Sequence, residues 1–228
     1  MKKIKMPPCV IMAGGLGKRL GAITKNVPKP VIKINGKPFL YYLLQNLQRQ
    51  KFEKFQFLLS YKNLKIKNFL EKYSKQNPIK YKIFIDKKKK QGTYKSLISI
   101  YKSLHPVFFY TNADEIPNFD INKAYRQFKK KNSILFALLR SKNGNLIKKN
   151  NFLKYSDFPN KKNYKECGFK FIRKKFLRYK SYKNHKIEEY LFNNKNIMNK
   201  SCFITLKKPP YCIDNPKQIK RTKNFLIR

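Results

Sequence analysis

The stretch VIMAGGLGKRLGAITKNVPKPVIKINGKP, Val10 to Pro38, decides the fold. A short apolar run leads into three glycines within residues 14–17; Arg19 follows closely, and Lys29 stands between Pro28 and Pro30. In an open α/β sheet, a strand that ends in a glycine-rich loop lets backbone N–H groups approach phosphate. The loop is not a Walker loop, which needs Gly-Lys-Ser/Thr, because Lys18 is followed by Arg19. Nor is it the dinucleotide fingerprint, since Leu20 holds the third glycine position. Arg19 offers a planar fork for phosphate oxygens. Lys29 offers a point charge on a proline-stiffened backbone.

Outward from this stretch, strand-length apolar runs alternate with helical patterns. Strands are predicted over 10–13, 55–60, 79–85, 107–111 and 134–139, and helices over 38–50, 62–73, 94–104 and 121–130. Such alternation predicts an α/β fold with a mixed, mostly parallel sheet. The rhythm loosens over 143–165, rich in Asn, Lys and Gly, with strand-like NFLKYSD inside it. A strand over 168–172, a helix over 187–192, a strand over 201–206 and a helix from Pro216 complete the pattern. No repeat and no boundary for a second domain is visible, so residues 1–228 read as one domain.

With 228 residues, 41% hydrophobic and 15% aromatic, the chain can bury a large core. No apolar stretch approaches the roughly 18 residues of a membrane span, and the apolar part of the opening segment is too short for a signal peptide. The expected place is the cytoplasm, without a membrane partner. Cysteines 9, 167, 202 and 212 show no CxxC or metal spacing, so free thiols are expected. The formal charge of +44 alone would predict nucleic-acid binding. Yet arginine occupies only eight positions while Lys, Asn, Ile, Phe and Tyr, the products of A/T-rich codons, abound. The charge therefore reads as codon bias spread over solvated faces, and no specific nucleic-acid partner is expected.

Ala13, Gly14, Gly15, Gly17, Arg19, Leu20, Thr24, Pro28-Lys29-Pro30 and Gly36-Lys37-Pro38 together resemble the signature of the sugar-1-phosphate nucleotidyltransferases. The nearest likeness is to the heptose 1-phosphate guanylyltransferase group. The resemblance continues through SYK at 60–62, QGTYKSL at 91–97, TNAD at 111–114 and YCIDNPKQIKR at 211–221. It implies a three-layer, Rossmann-like nucleotidyltransferase fold. It also implies transfer of a nucleotidyl group from a nucleoside triphosphate, GTP among the candidates, to a heptose or hexose 1-phosphate, with release of pyrophosphate. The product is a nucleotide-sugar for surface polysaccharide.

Carried onto this chain, the resemblance makes Arg19 and Lys29 catalytic, and assigns the nucleotide to Ala13, Gly14, Gly15, Gly17 and Gly92. Glu166 and Gly168 fall to the sugar phosphate, within a sugar-binding portion of roughly 140–210. Asp114 and Asp214 are expected to meet and hold one Mg²⁺. Homo-oligomerisation is left open. The chain departs from the pattern where Phe158 replaces a lysine and where Glu166 and Cys167 replace Asn and a small residue. Those departures motivate the alternative of a relative that binds without turnover. The charge alone motivates a third reading, a basic nucleic-acid-binding protein. His105 and His185, and Ser96 and Ser99, have no partners in sequence that suggest a nucleophilic mechanism.

Overall fold

The computed structural model describes residues 5–15, 17, 20–21, 24, 26–60, 63–86, 92–130, 134–141, 144–149, 152–160, 163–177 and 186–226, with the backbone alone at 145, 148–149 and 152–160. The chain divides into two compact units, each discontinuous in sequence: one of residues 1–89, 111–118 and 210–228, the other of residues 90–110 and 119–209.

The first unit carries the parallel strands. Cys9–Met12 pairs with Lys54–Leu59, Cys9 opposite Phe55 and Met12 opposite Leu58. Lys54–Leu59 pairs in turn with Lys80–Ile85, Leu59 opposite Ile85. Phe55 through Leu59 are buried without alternation, the mark of a strand covered on both faces. In Lys80–Ile85, Lys80 and Lys82 are more exposed than their neighbours, which suits an edge strand guarded by charge. The crossover helix Phe39–Arg49 buries Phe39, Leu40, Leu43, Leu44 and Leu47, and Asn63–Gln76 buries Ile66, Leu70 and Tyr73. Those spacings of three and four residues put one apolar stripe on each helix. Pro38 stands at the cap of the first helix, where a missing N–H costs nothing.

The second unit is mostly antiparallel. Tyr164–Arg173 pairs with Val107–Asn112 on one side, Phe171 opposite Phe109, and with Leu135–Arg140 on the other, Phe171 opposite Leu135. Cys202–Leu206 adds to Leu135–Arg140 in parallel. The core here is aromatic: the Phe171 ring lies 4.9 Å from Phe109 and 5.5 Å from Phe128, and Tyr94 stacks on Tyr190 at 4.3 Å.

Most expected elements stand within a residue or two of their places. The helix expected over 94–104 instead runs Gly92–Ser99, followed by a separate turn, Tyr101–Ser103. Ser96 and Ser99 hydroxyls donate to the carbonyls of Gly92 and Ser96 at 3.0 and 2.8 Å, and such local bonding weakens a helix. The loosened segment contains two antiparallel strands, Gly144–Lys149 and Phe152–Asn160. The strand expected over 168–172 extends to Tyr164–Arg173 and shifts register between Glu166 and Lys170, where Gly168 takes φ +73°. A positive φ at a bulge suits glycine. None of the four cysteines forms a disulfide, and Cys9 and Cys167 are buried. Among the described residues no helix is long and apolar enough to cross a membrane.

Phe171 is fully buried between the two strand partners and the Phe109 and Phe128 rings. Phe171→Ala should therefore lower unfolding stability by about 3–5 kcal/mol, measured by denaturant titration.

Candidate active site

The first strand ends at Met12, and Ala13 keeps the chain on the sheet by donating its N–H to Leu58 O at 2.9 Å. The loop that follows is shaped by hydroxyl groups. Ser60 donates to Gly14 O at 2.7 Å, and a Cβ on Gly14 would come within 2.7 Å of that same hydroxyl. Thr24, itself buried, shares its hydroxyl between Gly17 O at 3.0 Å and Gly21 O at 3.2 Å. Gly17 has φ +64°, and a Cβ there would lie 2.8 Å from Thr24 Cγ2. Only glycine satisfies both the backbone and the space at that position. A Cβ on Gly15, by contrast, would meet nothing within 4 Å, so the loop has open space beside it. Lys18 and Arg19 lie outside the described residues.

Lys29 sits in a short turn of Lys29–Val31, entered from Pro28 in extended conformation and followed by Pro30. The turn closes through Val31 N–H to Pro28 O at 3.0 Å. Its ammonium is mostly buried and donates to two carboxylates, Asp114 Oδ2 at 2.5 Å and Asp214 Oδ1. Asp114 follows Ala113, whose N–H holds Met12 O at 2.9 Å. Asp214 follows the short strand Tyr211–Cys212, which pairs with Glu115–Ile116 antiparallel, Cys212 opposite Glu115. Extending that register by one residue sets Ile213 against Asp114, so the two aspartates become neighbours. Asp214 N–H donates to Gln218 Oε1 at 2.8 Å, and Thr222 donates to Cys212 O at 3.0 Å, both from the helix Pro216–Leu226.

Burial disfavours the Lys29 ammonium, but Asp114 and Asp214 outweigh burial and raise its pKa above the ordinary lysine value. It is a cation at neutral pH. Two carboxylates face one ammonium in a largely buried place. Among the described residues, no three His, Cys, Asp or Glu side chains converge as a complete metal cage.

The second unit holds a comparable group. Lys170 is fully buried, with Nζ 2.8 Å from Glu188 Oε1, 3.0 Å from Glu166 Oε1 and 4.9 Å above the Tyr110 ring. Burial works against its charge, yet Glu166 and Glu188 leave its pKa raised. Burial raises the Glu166 pKa against the pull of Lys170; at Glu188 the pull of Lys170 exceeds burial and lowers it. Glu188 stands in the helix Ile187–Phe192, whose first N–H donates to Thr93 Oγ1 at 3.0 Å. Thr93 follows Gly92, which has φ +83°.

Of the expected site residues, the structure brings Lys29, Asp114 and Asp214 to one point. It gives Glu166 to Lys170, beside the Gly168 bulge. Phe158 belongs to the positions described by backbone alone, and Gln91 and His185 lie outside the described residues. Lys170 and Glu188 were missed. The usable signal was the scarcity of acid: in a chain with 11 acidic residues, Glu166 inside an apolar strand asks for a buried cation.

The pattern of the Nucleotidyl transferase family matches residues 9–145. The chain belongs to that family. Over 114 residues it is 32% identical to the D-glycero-alpha-D-manno-heptose 1-phosphate guanylyltransferase of Campylobacter jejuni, covering 50% of each chain. Over 64 residues it is 39% identical to the probable glucose-1-phosphate cytidylyltransferase of Bacillus subtilis, covering 28% of this chain and 25% of that one. The chain thus spans half or less of these curated relatives. Its fold matches the crystal structure of HddC from Yersinia pseudotuberculosis complexed with GMP-PN, with TM-score 0.77 and 22% identity, over 97% of this chain and 100% of that one. The expected Rossmann-like nucleotidyltransferase fold, with its mixed sheet, is the fold observed.

Lys170→Met removes the ammonium that Glu166 and Glu188 share, and should destabilise the protein by about 3–5 kcal/mol near neutral pH. Acidification should shrink the deficit. In the variant, protonation relieves the unpaired carboxylates. In the parent, the lowered Glu188 pKa gives stability that is present above the unfolded value of roughly 4.3 and lost as pH falls through the folded one. Thermal unfolding of both proteins across pH 3–8 checks the sign.

Proposed function

We propose that this chain transfers a nucleotidyl group from a nucleoside triphosphate to a heptose or hexose 1-phosphate, releasing pyrophosphate and forming a nucleotide-sugar for surface polysaccharide. The observation that carries the reading is the convergence of Lys29, Asp114 and Asp214 from three separate segments. The glycine loop shaped by Ser60 and Thr24 belongs to the same unit. GTP is the first nucleotide to test, in keeping with the guanylyltransferase likeness.

In this reaction a sugar-phosphate oxygen attacks the α-phosphorus, the bond to the pyrophosphate oxygen breaks, and negative charge builds around phosphorus. Catalysis then rests on positioning and cationic stabilisation. Ala13, Gly14, Gly15, Gly17 and Gly92 are assigned to the nucleotide, with Gly15 next to open space. Arg19 is assigned to the leaving phosphates and Lys29 to the phosphates at the reacting centre. Glu166 and Gly168 are assigned to the sugar-phosphate side. Since Glu166 is 9% exposed against 29% for Glu188, a sugar hydroxyl would meet Glu188 first, while Glu166 steadies Lys170.

The Asp114–Asp214 pair suits a divalent cation: two carboxylates already aim at one cationic centre. Mg²⁺ takes one or two protein carboxylates and fills its other positions with water and phosphate oxygens. Held there, it would neutralise charge on the triphosphate. The reading takes residues 1–228 as one nucleotidyltransferase domain with its sugar-binding portion roughly in 140–210, working in the cytoplasm on soluble substrates.

A matrix of nucleoside triphosphates against sugar 1-phosphates, with released pyrophosphate as readout, tests the reading. Turnover is expected with one nucleotide and a heptose or hexose phosphate; none with any pair would favour binding without turnover. Asp214→Asn keeps the shape and removes a charge, so the protein should fold while pyrophosphate release falls by on the order of 10²-fold or more.

A further inference from the structure

The point at which Asp114 and Asp214 converge is filled by a group of this chain's own. Lys29 Nζ contacts both carboxylates, and all three side chains are largely withdrawn from water, with 10%, 27% and 28% of each exposed. Resting on the metal assignment above, we propose that Lys29 and a divalent cation compete for the Asp114–Asp214 pair. In the metal-free protein Lys29 serves as the internal counter-cation, and a bound divalent cation frees its ammonium for phosphate.

The argument is one of charge and of reach. Lys29 already stands against both carboxylates, so a divalent cation added with it in place would press two cations against the same pair. In a partly buried site such like-charge crowding is weakly screened. The relief lies in the lysine side chain. Its backbone is held by Pro28, Pro30 and the Val31 N–H to Pro28 O bond at 3.0 Å, so the Cα stays where it is. The four-carbon stem can still swing the ammonium away, because Lys is a flexible point charge rather than a rigid fork. Asp214 is braced through its N–H to Gln218 at 2.8 Å, and the segment leading to Asp114 through Ala113 N–H to Met12 O at 2.9 Å, so the pair keeps its position as the cation changes.

Mn²⁺ binding in the absence of nucleotide, followed by the electron paramagnetic resonance of free Mn²⁺, tests the exchange in the whole chain and in Lys29→Met and Lys29→Arg. Lys29→Met removes the competing charge at nearly constant volume and should tighten Mn²⁺ by on the order of 10-fold or more. Lys29→Arg keeps the charge and should bind no more tightly than the parent. Equal or weaker Mn²⁺ binding by Lys29→Met, or none by either protein, overturns the proposal.

If Lys29→Met fails to fold, peptide-resolved acetylation of the parent protein decides: Lys29 should be protected without metal and gain reactivity once Mn²⁺ fills the site. Unchanged reactivity at saturation overturns it. The metal assignment fails separately, through pyrophosphate release that persists in chelator.

Discussion

The ammonium of Lys29, shared between Asp114 and Asp214, ties together three segments of one unit that lie far apart along the chain. The partners are 85 and 185 positions from the lysine. Ordering such distant pieces costs entropy, and a mostly buried charge cluster survives only when its members satisfy one another. The rest of that unit can be read as support for this contact. The parallel strands bring the chain back to the end of Cys9–Met12, the short ladder Glu115–Ile116 with Tyr211–Cys212 aligns the aspartates, and two prolines fix where the lysine begins.

The glycine loop obeys a second constraint, that of occupied carbonyls. Ser60 and Thr24 bond the oxygens of Gly14, Gly17 and Gly21, which fixes how those peptide planes turn. A peptide plane whose oxygen is tied inward has its N–H directed by the same rotation, and that orientation is what a phosphate-binding loop needs. Glycine at 17 then follows from positive φ and from the Thr24 methyl rather than from flexibility.

Charge is deployed unevenly. The chain carries 55 basic and 11 acidic residues, and four of those acids, Asp114, Asp214, Glu166 and Glu188, hold the two lysines buried among the described residues. The lysines on solvated faces need no partner, whereas an ammonium taken out of water does. The two groups differ at the lysine itself: Lys170 is fully enclosed, whereas Lys29 keeps 10% of its side chain exposed beside aspartates at 27% and 28%.

The sequence by itself determined the order of strands and helices, the glycine loop, the Pro-Lys-Pro turn and the family, because each is written in local spacing. Helix stripes such as Phe39, Leu43 and Leu47, and the fully apolar run of Phe57 to Leu59, need only their neighbours to be read. Tertiary structure decided the rest. The strand Gly144–Lys149 was hidden because its Asn and Lys content lacks a clear apolar period, whereas Phe152–Asn160 was legible as the strand-like NFLKYSD. The break after Ser99 follows from serine hydroxyls turning back on their own helix. Lys170 looked like one lysine among many until the fold enclosed it between Glu166 and Glu188. Asp114 and Asp214 were named in advance, but that their shared cation is Lys29 depended on long-range pairing, since the energy of a buried ion group resides in partners that a single sequence does not place side by side.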